Sequence, residues 1–363
     1  MKKLIIFMPS IEDGGVEKNL FLISNYLSKK INKIEIITAN YDYKNRFNKN
    51  INFIGLDLKY LRNKGRIFKY IFCLFVLVYQ IFKNNRKLTI LSFQANIYVI
   101  IIARIFAIKV ISRSNSSPSG WSTNFFKTLI FKIFLKRADL TIVNSIEFKN
   151  EMLTRFDVRA KTIYNPLDID FITKKLIKTN KKLFRSKPKF LKILSIGRLT
   201  EQKDFFTLLK AINLIKNKID LKLIIIGKGA EKKKLINYVK ENNLNQIISF
   251  AGYKKNPYNY IKQADIFILT SKFEGLPNVL LEAQLFKKFI ISSNCPTGPK
   301  EILLNGKAGN LFNIGDYKQL SKCILQYNKN KNKNKIQLGF NSLHRFNFDI
   351  KMKEYYKTIY KFL

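Results

Sequence analysis

The stretch SKFEGLPNVLLEAQ, residues 271–284, sets Glu274 beside a glycine and a proline and places Glu282 eight residues later in an apolar run. Both acids stand out in a chain of 67 basic and 24 acidic residues. A carboxylate accepts hydrogen bonds from vicinal hydroxyls, and the open N–H groups of Gly275, Leu276 and Asn278 at a helix start suit an electronegative ligand. A second group is cationic. Gly197-Arg198 follows an apolar run, and Lys203 lies on the same short loop. A guanidinium fork with an ammonium fits a diphosphate. The plainer reading is two solvated cations in a basic chain. Acids that bind hydroxyls, beside cations that bind phosphates, imply a ligand carrying both, as a nucleotide sugar does.

These residues need a scaffold that brings loops to one edge. Short apolar runs alternate with longer helical patterns. KLIIFMP, KIEIITAN, LTILSF, KVISRS and LTIVNS read as strands in the first half. FLKILSIGRL, LKLIIIGKG, IISFAGY, DIFILTS and FIISSN read as strands in the second. Strand–helix alternation predicts parallel βαβ units, an α/β fold in two halves of similar size. Glycines recur where such strands end: Gly14-Gly15, Gly197 and Gly227-Lys228-Gly229. Without a side chain the backbone approaches a ligand closely, and the carboxyl edge of a parallel sheet is where ligands bind. A Gly-Gly pair is as often a plain turn. The expected division is 1–170, a linker at 171–189 around the basic KKLIKTNKKLFRSKPK, 190–345, and a last helix in 346–363. YNKNKNKNK, 327–335, reads as a solvated loop.

Composition narrows the function. Net charge is +43, which attracts polyanions but does not specify a fold. Lysines are dispersed, and no recognisable nucleic-acid module is present, so no nucleic-acid partner is expected. Cys73, Cys295 and Cys323 form no CxxC pair, and His344 is the one histidine. A structural zinc site and histidine-cluster chemistry are not expected. The N-terminal apolar run ends at Pro9, too short for a signal peptide, and the expected place is the cytoplasm. YIFCLFVLVYQIF, between Lys69 and Lys83, is shorter than the roughly 20 residues of a span. It reads either as a helix lying on the inner face of an anionic plasma membrane or as one whose Ile71, Leu74, Phe75 and Val78 fill the first domain's core.

At this point the sequence resembles a known family. EGLPNVLLE is similar to the E-x7-E element of the retaining glycosyltransferases of family four, which have the GT-B fold. IGRLTEQKDF, IIGKGAEKKKL, FAGY, ADIFILTSKFEGLPNVLLEA and NCPTGPKEILLNGKAGNLF follow in the family's order across about 190–315, and MPSIEDGGVEKNL and IYNPLD fit in the first half. The resemblance implies two Rossmann-like domains facing a cleft, the last helix crossing back to the first domain, and transfer of a sugar from a nucleotide-diphosphate donor, with UDP the expected nucleotide. It implies Arg198 and Lys203 on the diphosphate, Glu282 on the ribose, and Glu274 with Gly275 to Asn278 on the donor sugar. Tyr253 falls by the base, Gly197 and Gly227 in the donor loops, and Gly15 near the phosphate from the N-terminal side. No metal and no cofactor beyond the nucleotide sugar are expected. The acceptor is expected to be a glycan or lipid-linked glycan for cell-surface polysaccharide, selected by loops of the first domain, and the transferred group a hexose or N-acetylhexosamine. Many members carry a histidine in the first domain where this chain reads SRSNSSPSG, with Arg113, Ser114 and Asn115 instead. The rivals are another nucleotide-sugar enzyme on the same scaffold, such as an epimerase, and a basic nucleic-acid binder.

Overall fold

The computed structural model describes residues 3–12, 14–55, 65–121, 124–176, 183–184, 190–327 and 332–363. The chain forms two compact units, Met1–Pro166 with Phe348–Leu363, and Leu167–Asn347.

Unit 1 holds a seven-stranded sheet. Its strands are β1 (Lys3–Phe7), β2 (Ile34–Ile37), β3 (Ile51–Ile54), β4 (Leu88–Ser92), β5 (Lys109–Arg113), β6 (Leu140–Val143) and β7 (Lys161–Thr162). Their order is β3-β2-β1-β4-β5-β6-β7, and every pair is parallel. Alternate side chains point to opposite faces. Leu4 and Ile6 meet helices Gly15–Leu27 and Phe348–Tyr360 through Leu20, Ile23, Met352 and Ile359. Ile5 and Phe7 face the opposite core, built with Cys73 and Leu77 of helix Arg66–Lys83, Val99 and Ile100 of Asn96–Ile105, Leu135 of Phe125–Leu135, and Phe148 of Ile146–Phe156. A strand covered on both sides is apolar at consecutive positions, which is why KLIIF and LTILS read as unbroken runs.

Unit 2 repeats the plan with β8 (Leu191–Ile196), β9 (Leu221–Ile226), β10 (Ile248–Gly252), β11 (Ile266–Leu269), β12 (Phe289–Ser293) and β13 (Asn310–Phe312). The order is β10-β9-β8-β11-β12-β13, again parallel. Leu208, Ile212, Leu235 and Leu320 cover one face from helices Phe205–Ile215, Lys232–Glu241 and Tyr317–Leu325. Helix Asn278–Leu285 packs against β11 and β12. In each sheet the winding reverses once, between β1 and β4 and between β8 and β11. Loops diverge there and leave a crevice at the carboxyl ends of the strands.

Several segments differ from their sequence reading. β7 and β13 are two and three residues long, too short for a periodic signal, and β3, of four residues, is a further strand not read from the sequence. The expected linker 171–189 begins inside helix Ile169–Lys174, and its residues 177–182 and 185–189 lie outside the described residues. Lys333–Asn341 is a helix, so the end of the lysine–asparagine tract is not loop, while 328–331 lie outside the described residues. Helix Arg66–Lys83 meets the core through Cys73, Leu77 and Ile81, whereas Ile71 and Phe75, read as core candidates, are exposed.

Candidate active site at the carboxyl edge of unit 2

The loop after β8 carries Gly197 and Arg198, then a 3-10 turn Glu201–Lys203, then Asp204, which opens helix Phe205–Ile215. Asp204 has φ 44, and its carboxylate accepts from the Thr207 amide at 3.3 Å and the Thr207 hydroxyl at 2.6 Å. A short polar side chain tolerates this backbone and satisfies an end amide of the helix. Lys203 is thereby turned back across the crevice. The Thr270 hydroxyl donates to the Lys203 carbonyl at 2.9 Å, and Gln202 Nε2 donates to the Phe273 carbonyl at 2.9 Å. These bonds join the β8 loop to the β11 loop.

Glu274 sits in the β11 loop, buried. Its Oε1 accepts from Lys203 Nζ and, at 2.6 Å, from the Ser271 hydroxyl. Among the described residues Oε2 accepts no hydrogen bond, so one oxygen is fixed and the other is open to a ligand. The Ser271 carbonyl accepts from Ser293 at the end of β12, at 2.6 Å. Beyond β12, the Thr297 hydroxyl donates to the carbonyls of Glu274 and Gly275, at 2.8 and 3.2 Å. Thr297 holds φ 63, rare for a β-branched residue, and such strain persists only where the surroundings fix it. Gly298 follows at φ 62, and a Cβ there would lie 1.8 Å from the Gly275 carbonyl oxygen. Only glycine lets the two loops touch.

Pro277 caps helix Asn278–Leu285 from the position before its first residue, one place earlier than its first-turn preference suggests. Leu276 is buried below that turn, and Glu282 is buried in the second turn. On the other side of Gly197, the Gly197 amide donates to the Ile226 carbonyl and the Leu199 amide to the Lys228 carbonyl, at 3.0 and 2.9 Å. A Cβ on Gly227 would stand 1.9 Å from the Gly197 oxygen. The Gly227 amide donates to Gly252, and the exposed Tyr253 ring lies 5.0 Å from Lys228 Nζ. Gly197, Arg198, Lys203, Gly227, Tyr253, Glu274, Gly275, Leu276, Asn278 and Glu282 thus belong to one sheet edge or to helix Asn278–Leu285 behind it, with Arg198 exposed.

Gly15 belongs to unit 1, as the first residue of helix Gly15–Leu27 after the β1 loop. There Gln94 accepts from the Ser10 amide and donates to the Ser10 carbonyl, at 3.0 and 2.9 Å, bracing the loops after β1 and β4. Arg113, in the stretch without histidine, is fully buried. Its Nε donates to the Tyr355 hydroxyl at 3.0 Å and its Nη2 to Asn165 Oδ1 at 2.9 Å. It ties the last helix into unit 1 and does not reach the surface. His344 is exposed on unit 2 and meets the Asn341 carbonyl.

Residues 177–338 match the family model described as "Glycosyl transferases group 1". Over 344 residues the chain is 27% identical to the N-acetylgalactosamine-N,N'-diacetylbacillosaminyl-diphospho-undecaprenol 4-alpha-N-acetylgalactosaminyltransferase of Campylobacter jejuni, covering 86% of this chain and 87% of that one. The family match falls within unit 2, and the chain is a glycosyltransferase. An uncharacterized glycosyltransferase of Methanocaldococcus jannaschii is 32% identical over 219 residues, and the match spans 56% of this transferase and about half, 54%, of the archaeal chain. The crystal structure of Anabaena HepE in complex with UDP superposes with a TM-score of 0.76 at 17% identity, covering 99% of the transferase and 100% of that chain. That likeness shows the fold, which is GT-B.

Within this transferase the reading from residue types missed Ser271, Thr297 and Gly298. Thr297 and Gly298 lie in NCPTGPKE, and their proline–glycine neighbourhood signals only a turn. It also missed that Lys203 pairs with Glu274. The two are 71 positions apart, and the pairing exists because β8 and β11 are neighbours in the sheet.

Proposed function

We propose that the transferase moves a hexose or N-acetylhexosamine from a UDP-linked donor to a lipid-linked glycan, with retention of anomeric configuration and without a metal ion, in cell-surface polysaccharide synthesis. The observation that carries this reading is the half-satisfied Glu274 carboxylate, bound to a lysine and a serine on one oxygen and open on the other. Sugar hydroxyls fit the open oxygen. Lys203 has three N–H donors and needs one for Glu274, so it can serve a phosphate at the same time. Arg198, exposed on the same loop, supplies a bidentate fork. Glu282 takes the ribose hydroxyls, and Tyr253 lies where the base is held.

In the reaction the bond from the anomeric carbon to the β-phosphate oxygen breaks, and the acceptor oxygen bonds to that carbon from the same face. The acceptor proton passes to the departing phosphate. Negative charge grows on the diphosphate as the bond lengthens, so Arg198 and Lys203 act most strongly in the transition state. Glu274 orients the sugar. The diphospho-undecaprenol in the name of the Campylobacter relative supports a lipid-linked acceptor.

Calorimetry with UDP tests the donor. Glu282→Ala is expected to weaken UDP binding roughly ten- to a hundredfold, the cost of about 1.5–3 kcal/mol for hydrogen bonds to a charged acceptor. Glu274→Ala is expected to cut turnover by a similar factor with the fold retained. Unchanged binding and turnover in both variants rejects the assignment.

A further inference from the structure

Thr297, just after β12, is a buried and strained member of the platform around Glu274. Its φ of 63 is one that a β-branched side chain rarely takes. Glycine would take it freely, as the neighbouring Gly298 does at φ 62. The course of the chain therefore does not call for threonine. What glycine lacks is the hydroxyl. That hydroxyl is shared between two consecutive carbonyls, Glu274 at 2.8 Å and Gly275 at 3.2 Å. Strain kept at one residue of a candidate site points to work done by that residue.

A trans peptide sets its carbonyl and its amide hydrogen in opposite directions, and the peptides of the described residues are trans. With the Glu274 carbonyl drawn toward Thr297, the Gly275 amide points away from the β12 loop. With the Gly275 carbonyl drawn the same way, the Leu276 amide follows it. β11 lies between β8 and β12 in the sheet. Away from the β12 loop is therefore toward the β8 loop, which carries Arg198 and Lys203. The preceding peptide runs the other way, since the Phe273 carbonyl accepts from Gln202 of the β8 loop at 2.9 Å. The chain reverses its polarity at Glu274, and Thr297 holds the reversed side. Among the described residues the Gly275 amide has no hydrogen-bond partner.

We infer that Thr297 is a positioning residue for the transfer. Its hydroxyl aims the Gly275 and Leu276 amides at the β-phosphate of the donor, on the side of Arg198 and Lys203, and touches no substrate atom itself. The inference rests on the nucleotide-diphosphate donor proposed above. Amide dipoles fixed beforehand need no rearrangement as charge builds on the departing phosphate, so they add to the two cations when the bond breaks.

The test compares UDP with UMP, which lacks the β-phosphate, by calorimetry on the full chain. The unaltered protein is expected to prefer UDP. Thr297→Val keeps the branched shape and removes the donor, leaving two carbonyls unheld. It is expected to lose roughly tenfold of the preference for UDP, while its affinity for UMP stays within about twofold. Thr297→Gly removes the donor and the strain together, and is expected to lose the preference in the same way. Thr297→Ser, which keeps a hydroxyl, is expected to restore it to within about twofold. A preference unchanged in both Val and Gly variants overturns the inference. Equal losses for UDP and UMP also overturn it, because they would mean a role in loop structure alone. If the unaltered protein does not prefer UDP, the diphosphate donor reading fails and this inference falls with it. A preference that is present but indifferent to Thr297 sinks this inference alone.

Discussion

Glu274 and Lys203 hold each other in place before any ligand arrives, with side chains only 9% and 14% exposed. Removing either leaves its partner partly buried and short of a counter-charge, and such pairs couple by about 0.5–3 kcal/mol in double-mutant cycles. Lys203→Ala and Glu274→Ala are therefore expected to cost less together than the sum of their separate effects on turnover, read from kcat/KM of the four proteins. Strict additivity would mean the pair does not act as a unit. The sequence made the two acids legible because carboxylates are scarce in so basic a chain. It could not reveal what fixes them. Ser271, Thr297 and Lys203 reach Glu274 from three different loops, and an interaction between loops far apart in sequence leaves no trace in local spacing.

At the scale of elements, the loops after β8, β11 and β12 form one platform because glycines allow backbone to touch backbone. Gly298→Ala is expected to raise the KM for donor and lower Tm. Alanine at that positive φ costs about 1–2 kcal/mol, and its Cβ would push on Gly275. Thermal melts and donor kinetics check this together, and a fully active, equally stable variant would show the contact unnecessary. The cores make a second prediction. Burial pushes the thiols of Cys73 in unit 1 and Cys295 in unit 2 up to about 12, from an ordinary 9.0. Between these values the native fold keeps protons that the unfolded chain releases, so stability is full below pH 9 and falls as pH rises toward 12. Both thiols are expected to resist a disulfide reagent at neutral pH until denaturant is added. Rapid native labelling of either position would contradict the burial. Long buried strands and amphipathic helices were legible from their periods. β7 and β13 were not, because strands of two and three residues are defined only by the neighbour that pairs with them. Helix Arg66–Lys83 was legible as a helix, but its two apolar faces gave no sign of which one met the core.

For the whole molecule, the role proposed for the two cations of the β8 loop is the electrostatic work that a divalent ion does in other sugar transfers, so activity is expected to survive EDTA in full. Activity lost in EDTA and restored by magnesium or manganese would show that a cation is needed as well. The two-unit plan was readable because the strand–helix pattern restarts near residue 190, and unit 2 is continuous from Leu167 to Asn347. Unit 1 is not continuous. Its core includes Met352, Tyr355 and Ile359, its buried Arg113 relies on the Tyr355 hydroxyl, and Thr89 of β4 donates to the Phe362 carbonyl. The ribosome delivers most of unit 1 before unit 2, and helix Phe348–Tyr360 only after it. At roughly 5–20 residues per second, the nascent sheet waits on the order of ten to forty seconds with one face partly uncovered. Unit 2 can close in that interval. Loss of helix Phe348–Tyr360 would therefore spoil the unit whose sheet was made first.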